Sequence, residues 1–167
     1  DNWGPASYGI LLKDISRSNI KRNLFYKNTI GIYMEGADYL FVDSNEFSNN
    51  GWATKILGNC TNNKFSNNNF ISNTFDVSSN STRNDNVYTG NYWDKYNGYD
   101  INKDKTGDVP YRPVSLYSMI VERIPESVIL MRSFLVGLLD ITEKAMPVFI
   151  PETLTDEYPR MEVNNYE

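Results

Sequence analysis

Short apolar stretches alternate with asparagine-rich polar ones along the first ninety or so residues. Gly31-Ile32-Tyr33-Met34 and Tyr39-Leu40-Phe41-Val42 are typical of the apolar pieces. Their brief alternation reads as short strands. The pattern also recurs at a fixed interval. Asn-x-aromatic triplets stand at Asn23-Leu24-Phe25, Asn45-Glu46-Phe47, Asn68-Asn69-Phe70 and Asn91-Tyr92-Trp93, spaced by 22, 23 and 23 residues. A second asparagine series (Asn28, Asn50, Asn73) and an apolar one (Ile20, Val42, Phe65, Tyr88) keep step with the first, and Gly9-Ile10 returns as Gly31-Ile32.

Asparagine competes for its own backbone in helices, so helix pairs do not suit this period. Three short strands and three turns fill one coil of such a length. The sequence therefore predicts an all-β solenoid, a right-handed parallel β-helix of about four coils over residues 1–94, with a C-terminal α-helical extension. Coils stacked at ~4.8 Å place equivalent residues above one another. Aromatic and β-branched side chains then pile inside. Asparagines in left-handed turns bond to their copies in the next coil, which makes the repeats scaffold rather than site.

The stack ends in NYWDKYNGYDINKDKTGDVPYRP, from Asn91 to Pro113. An open solenoid end invites edge pairing and needs a cap, so 95–113 is expected to be an acidic capping loop, with Tyr92, Trp93, Tyr96 and Tyr99 plugging the core. An aromatic platform for a sugar is a second reading of these rings. Within the loop, Asp100, Asn102, Asp104, Thr106 (through its carbonyl) and Asp108 match the first positions of a calcium loop. Lys105 stands where such loops carry glycine, and Tyr111 where they carry the closing glutamate. A solvated turn held by Asx hydrogen bonds is the competing reading.

The periodicity changes after Pro113. Ser115 can cap a short helix carrying Leu116, Met119 and Ile120, and Pro125 suits the start of a second helix running to about Ala145. That segment, within 114–146, is apolar over most of its circumference. One helix lying on a solenoid end buries one face only. The rest calls for a second apolar surface in this chain, another protein or a membrane. Val128, Met131, Phe134, Leu135 and Leu138 are the candidate partner-binding residues. The longest apolar stretch, Val128 to Ile141, is short for a membrane span and carries Arg132 and Asp140. Residues 147–167, with Pro147, Pro151 and Pro159, read as an extended tail rather than a core element.

A net charge of −5 with no basic patch argues against nucleic acid. The chain opens without a secretory signal, and its first repeat begins almost at once, which suggests a fragment. Catalytic carboxylates on a β-helix should share a face on neighbouring coils. Asp14, Glu35 and Asp43 fall in different registers, and Lys13 and Arg22 do not pair obviously with them. A non-catalytic protein is expected, with a carbohydrate-binding or carbohydrate-cleaving β-helix as the alternative.

The runs DNWGPASYGILLK, GIYMEGADYLFVDSNEFSNNGW (Gly31 to Trp52), NFISNTFDV, GNYWDKYNGYD, DVPYRPVSLYSMIVERIP and LLD…PETLTDE together resemble the C-terminal half of the NosD family. The resemblance implies a periplasmic β-helix accessory protein for copper-site maturation of nitrous oxide reductase. It also implies partners: an ABC-transporter ATPase and its permease, capped on the periplasmic side, a copper chaperone lipoprotein, and the reductase. The membrane is then reached only through the permease. With no histidine and a single cysteine, Cys60, any copper(I) site in this chain must draw on sulfur, be shared with a partner, or lie elsewhere. Met119 and Met131 are the candidates nearest the expected docking face, although a methionine on an apolar face is more often core.

Overall fold

A computed structural model describes residues 7–80, 85–145 and 154–166. Four coils of three strands each are formed: β1 (Tyr8–Lys13), β2 (Asn19–Lys21) and β3 (Leu24–Tyr26), then β4 (Ile30–Glu35), β5 (Phe41–Asp43) and β6 (Glu46–Ser48). The third coil holds β7 (Trp52–Ile56), β8 (Lys64–Ser66) and β9 (Asn69–Ile71), and the fourth β10 (Phe75–Ser79), β11 (Val87–Thr89) and β12 (Tyr92–Trp93). Three parallel sheets result, ordered β1-β4-β7-β10, β2-β5-β8-β11 and β3-β6-β9-β12. Each strand pairs with its copy one repeat away: Ile20 with Val42, Val42 with Phe65, and Phe65 with Tyr88. The chain is a parallel β-solenoid, as its period predicts.

Stacked side chains fill the interior. Phe25, Phe47, Phe70 and Trp93 form one column, with near-parallel rings 4.8, 4.9 and 4.0 Å apart. Phe65 and Tyr88 stack at 4.8 Å in another.

The asparagines form ladders along the turns. In one, the backbone and side-chain amides of Asn45 donate to Asn68 Oδ1 at 3.0 Å each, and those of Asn68 donate to Asn91 Oδ1, also at 3.0 Å. The side-chain amides of Asn45, Asn50 and Asn68 each spend their second proton on a carbonyl of the preceding coil, Asn68 on Val42 O at 2.9 Å. Asn28, Asn50 and Asn73 repeat the scheme at the second corner. At the third corner, Asn63 donates in the same way to Asn86.

The structure refines one expectation. Left-handed backbone and laddering fall on adjacent residues, not on the same one. Arg22, Lys27, Ser44, Asn49, Asn62, Asn67 and Ser72 carry positive φ, each immediately before a laddering asparagine. The preceding residue turns the corner, which leaves the asparagine side chain free to point inward.

The far end is closed by the tail and the acidic loop together. Leu154 is fully buried in the core, and Asp156 is fully buried as well. Asp156 pairs in parallel with Tyr88, and Arg160 with Tyr92, so the tail forms part of a further rung. Tyr111 and Asp156 exchange backbone hydrogen bonds at 2.9 and 2.8 Å. The tail is thus extended in conformation, but it differs from the expected free arm by contributing to the core. It then runs back along the flank, where Asn164 and Asn69 exchange hydrogen bonds and the Tyr166 hydroxyl donates to Asn45 O at 2.8 Å. Of the expected aromatic plug, Trp93 is buried and Tyr96 packs against the core, whereas Tyr99 is exposed. Tyr111 completes the plug, its ring 5.3 Å from Trp93.

On β10, Asp76 is buried beside Lys95, whose Nζ lies 3.1 Å from Oδ2. Burial outweighs the lysine and pushes the Asp76 carboxyl up to about 6. Between about pH 4 and pH 6 the folded chain therefore holds a proton that the unfolded chain releases. This contribution favours the folded state fully below that window and is lost as pH rises through 6. Relative to Asp76→Asn, the native protein should gain melting temperature on going from pH 7 to pH 5. Parallel pH profiles for the two proteins would contradict this.

Candidate functional site

The hydrogen-bonded pair Tyr111 and Asp156 brackets everything between them. The chain leaves the solenoid end there, forms a helical lobe, and returns to the same point. Ser115 starts α1 (Leu116–Arg123), its Oγ accepting from Ser118 N at 3.0 Å. Tyr117, Ser118 and Val121 are buried. The Tyr117 ring tilts against Phe75, which itself stacks on Trp52 at 4.2 Å. Glu122 fixes the register of α1 by meeting Lys55 Nζ at 2.9 Å and Ser78 Oγ at 3.1 Å.

The single second helix expected from Pro125 to Ala145 is divided. Pro125–Arg132 is a 3-10 helix, Ser133 is extended at φ −86° and ψ 157°, and α2 spans Phe134–Ala145. The break turns the apolar segment back on itself. Val136 and Leu139 of α2, with Met131, pack against the small cluster of Phe75, Tyr117 and Val121. Other large apolar side chains face outward: Ile129 is 84 % exposed, Phe134 79 % and Leu135 57 %, with Val128, Leu138 and Ile141 exposed as well. A groove of about 310 Å³ runs among Ile120, Leu130, Leu135, Leu138 and Leu139. Four of the five expected partner-binding residues thus share an exposed lobe. Met131 is the exception, half-buried and packed inward. No helix among the described residues is long and apolar enough to cross a membrane.

The sulfurs are dispersed. Met119 packs against the main solenoid core and Met131 against the smaller cluster. Met34 is fully buried, Cys60 is buried with its thiol pKa pushed up by burial, and Met146 lies outside the described residues. Among the described residues, no three acidic, histidine or cysteine side chains are arranged to hold a metal ion.

In the acidic loop the carboxylates meet backbone N–H groups. Asp100 accepts from Asp104 N at 3.2 Å and Lys105 N at 2.8 Å, Asp104 from Thr106 N at 2.8 Å, and Asp108 from Ile101 N at 2.7 Å. Asn102 Oδ1 accepts from Asp104 N at 3.0 Å. The Thr106 N–H holds the Asp104 carboxyl below its usual range. Lys103 and Lys105 supply the positive φ that glycine usually provides in such a loop.

Asp156 carries no signal in the sequence, because it stands 65 residues from the asparagine it caps and outside the repeat. The third ladder, Asn63 and Asn86, does keep the 23-residue interval and was legible in principle.

A sequence profile of the family described as "Periplasmic copper-binding protein (NosD)" matches residues 1–98. The chain is 24% identical over 147 residues to a "Probable ABC transporter binding protein NosD" of Stutzerimonas stutzeri, covering 87% of this chain and 29% of the relative. A protein of the same description from Pseudomonas aeruginosa is 33% identical over 72 residues, covering 43% of this chain and 17% of that protein. The chain spans less than a third of the length of either relative. With more than half of its residues matched by the profile, the chain belongs to the NosD family of periplasmic proteins.

Proposed function

We propose that this chain is the docking end of a periplasmic accessory protein that binds an ABC-transporter permease through its helical lobe and supports copper-site assembly in nitrous oxide reductase. The observation that carries this reading is the lobe itself. Several large apolar side chains stand exposed on one short excursion, and both ends of that excursion are tied to a rigid solenoid. Such a surface marks an interaction site. The relatives' description as ABC transporter binding proteins supports the choice of partner. The permease's own ATPase completes the transporter, and the membrane is reached only through the permease.

The family description supports a role in copper handling. A copper chaperone lipoprotein and the reductase are then the other partners. In this part of the protein, copper(I) would have to use Met119 or Met131 with donors from such a partner, since their sulfurs lie in separate clusters. The acidic loop is a secondary, structural calcium site in this account, its carboxylates exchanging some backbone hydrogen bonds for the ion. The accessory role requires no catalytic residue.

The experiment is co-purification with an ABC-transporter permease from the same organism. Phe134→Asp combined with Leu138→Asp places two charges on the exposed lobe and should reduce recovery of the permease at least tenfold. Both positions point to solvent, so the melting temperature should stay within a few degrees of the parent. Undiminished recovery of the permease by the double variant would overturn the proposal.

A further inference from the structure

Gly137 lies inside α2, although glycine is the poorest helix former after proline. Glycines elsewhere have an evident cause. An added Cβ at Gly9 or Gly51 would stand within 2.7 Å of a carbonyl oxygen of the neighbouring coil, and Gly90 has a φ of 67°. Gly137 has ordinary helical backbone and is exposed, and among the described residues no atom lies within 4 Å of an added Cβ. Neither conformation nor packing among the described residues calls for a glycine there.

The bare backbone sits in an apolar face. Phe134, Gly137, Leu138 and Ile141 share that face by their three- and four-residue spacing. The three side chains are 79 %, 42 % and 65 % exposed, while Val136 and Leu139 pack inward. Gly137 is thus a notch between Phe134, one turn before it, and Ile141, one turn after. Such a notch lets a second backbone approach closely. A loop in this place would press its own N–H and C=O groups against apolar side chains, whereas a helix has already satisfied them. Lipid chains fill in around any side chain and need no notch. The large apolar side chains exposed from Val128 to Ile141 present on the order of 800 Å² together, about what one partner gives to a stable protein interface.

We infer that an apolar helix of the permease crosses α2 at Gly137 and seats its side chains between Phe134 and Ile141. This rests on the docking reading above and adds the kind of element that is recognised.

The test is co-purification of the permease with Gly137→Leu and Gly137→Ala chains, beside the Phe134→Asp, Leu138→Asp double variant. Leucine and alanine are better helix formers, so melting temperature should be unchanged or higher. Leucine fills the notch, and recovery of the permease should fall about tenfold or more. Alanine adds one methyl group and should give an intermediate loss. A merely greasy contact would behave in the opposite way, because leucine adds apolar surface. A photoreactive side chain at position 141 should form its adduct with a permease segment whose apolar residues recur at three- and four-residue spacing. Full recovery by Gly137→Leu, with loss in the double aspartate variant, overturns the close helix and leaves docking standing. Full recovery by both overturns docking too. The inference is also overturned if Gly137→Leu melts several degrees lower, if the adduct maps to a polar loop, or if the chain alone forms a dimer that Gly137→Leu breaks.

Discussion

Replacing Asp156 with alanine is expected to cost the folded chain about 4 kcal/mol, since several buried donors lose a charged acceptor at once. Oδ2 of Asp156 accepts from Asn91 N at 3.0 Å, Asn91 Nδ2 at 2.9 Å and Trp93 Nε1 at 3.1 Å. Oδ1 accepts from Gly90 N at 3.2 Å and Tyr158 N at 3.1 Å. Asp156 thus takes the place of a fifth asparagine in the ladder that starts at Asn23. A carboxylate suits the last place, because it only accepts and leaves no amide proton seeking a further coil. Without it, Asn91 and Trp93 keep buried donors with no acceptor. Melting temperature should fall by about 10 °C for a chain of this size. Asp156→Asn should cost less, because one oxygen survives, yet its amide protons would face the same donors. A loss under about 1 kcal/mol for the alanine variant would show that the tail does not close the stack.

A comparable loss, about 3–5 kcal/mol, is expected for Asn68→Leu in the middle of the same ladder. Asn68 is fully buried. It receives two hydrogen bonds from Asn45 and supplies one to Val42 O and one to Asn91 Oδ1 from its side chain. Leucine fills similar space and satisfies none of them. Denaturant titration should show a lower midpoint. Asn62→Gly is the control: Asn62 is exposed with φ 56°, a conformation glycine adopts freely, so its stability should change by less than about 0.5 kcal/mol. Equal effects at the two positions would mean that the repeated asparagines matter as turn formers and not as ladder rungs.

The solenoid was readable because it is periodic. Each interior column leaves the same residue type at a constant interval, so Phe25, Phe47, Phe70 and Trp93 announce their stacking before any coordinates are known. The cap was not readable in the same way. Asp156 and Leu154 join the core through contacts that recur nowhere else in the chain, and a proline-rich acidic segment resembles a solvated arm on composition alone. The division of the helical lobe was equally hidden. Ser133 is an ordinary helix residue by propensity, and the break follows from the packing of Met131 and Val136 onto the same small cluster. The exposed apolar face was legible in outline, since its residues outnumber what one solenoid end can cover. Which of them turn inward depended on that fold-back, and Met131 did.

The buried pair of Asp76 and Lys95 left a weaker trace. Gly9, Gly31 and Ala53 precede Asp76 in its column, so a charged residue breaks a series of small ones. At Gly31 an added Cβ would stand 2.6 Å from Ala53 O, which accounts for the small residue there. The partner of Asp76, Lys95, lies 19 residues on, and this interval belongs to none of the repeats.

Site-specific photo-crosslinking tests docking through the lobe most directly. A photoreactive side chain is placed at position 134 on the lobe, and in a separate protein at position 41, which is half-exposed on the solenoid flank. Each protein is mixed with the ABC-transporter permease in detergent and irradiated. A covalent adduct with the permease from position 134, and little or none from position 41, is the predicted result. Adducts from position 41 with none from position 134 would place the contact on the solenoid and contradict the account.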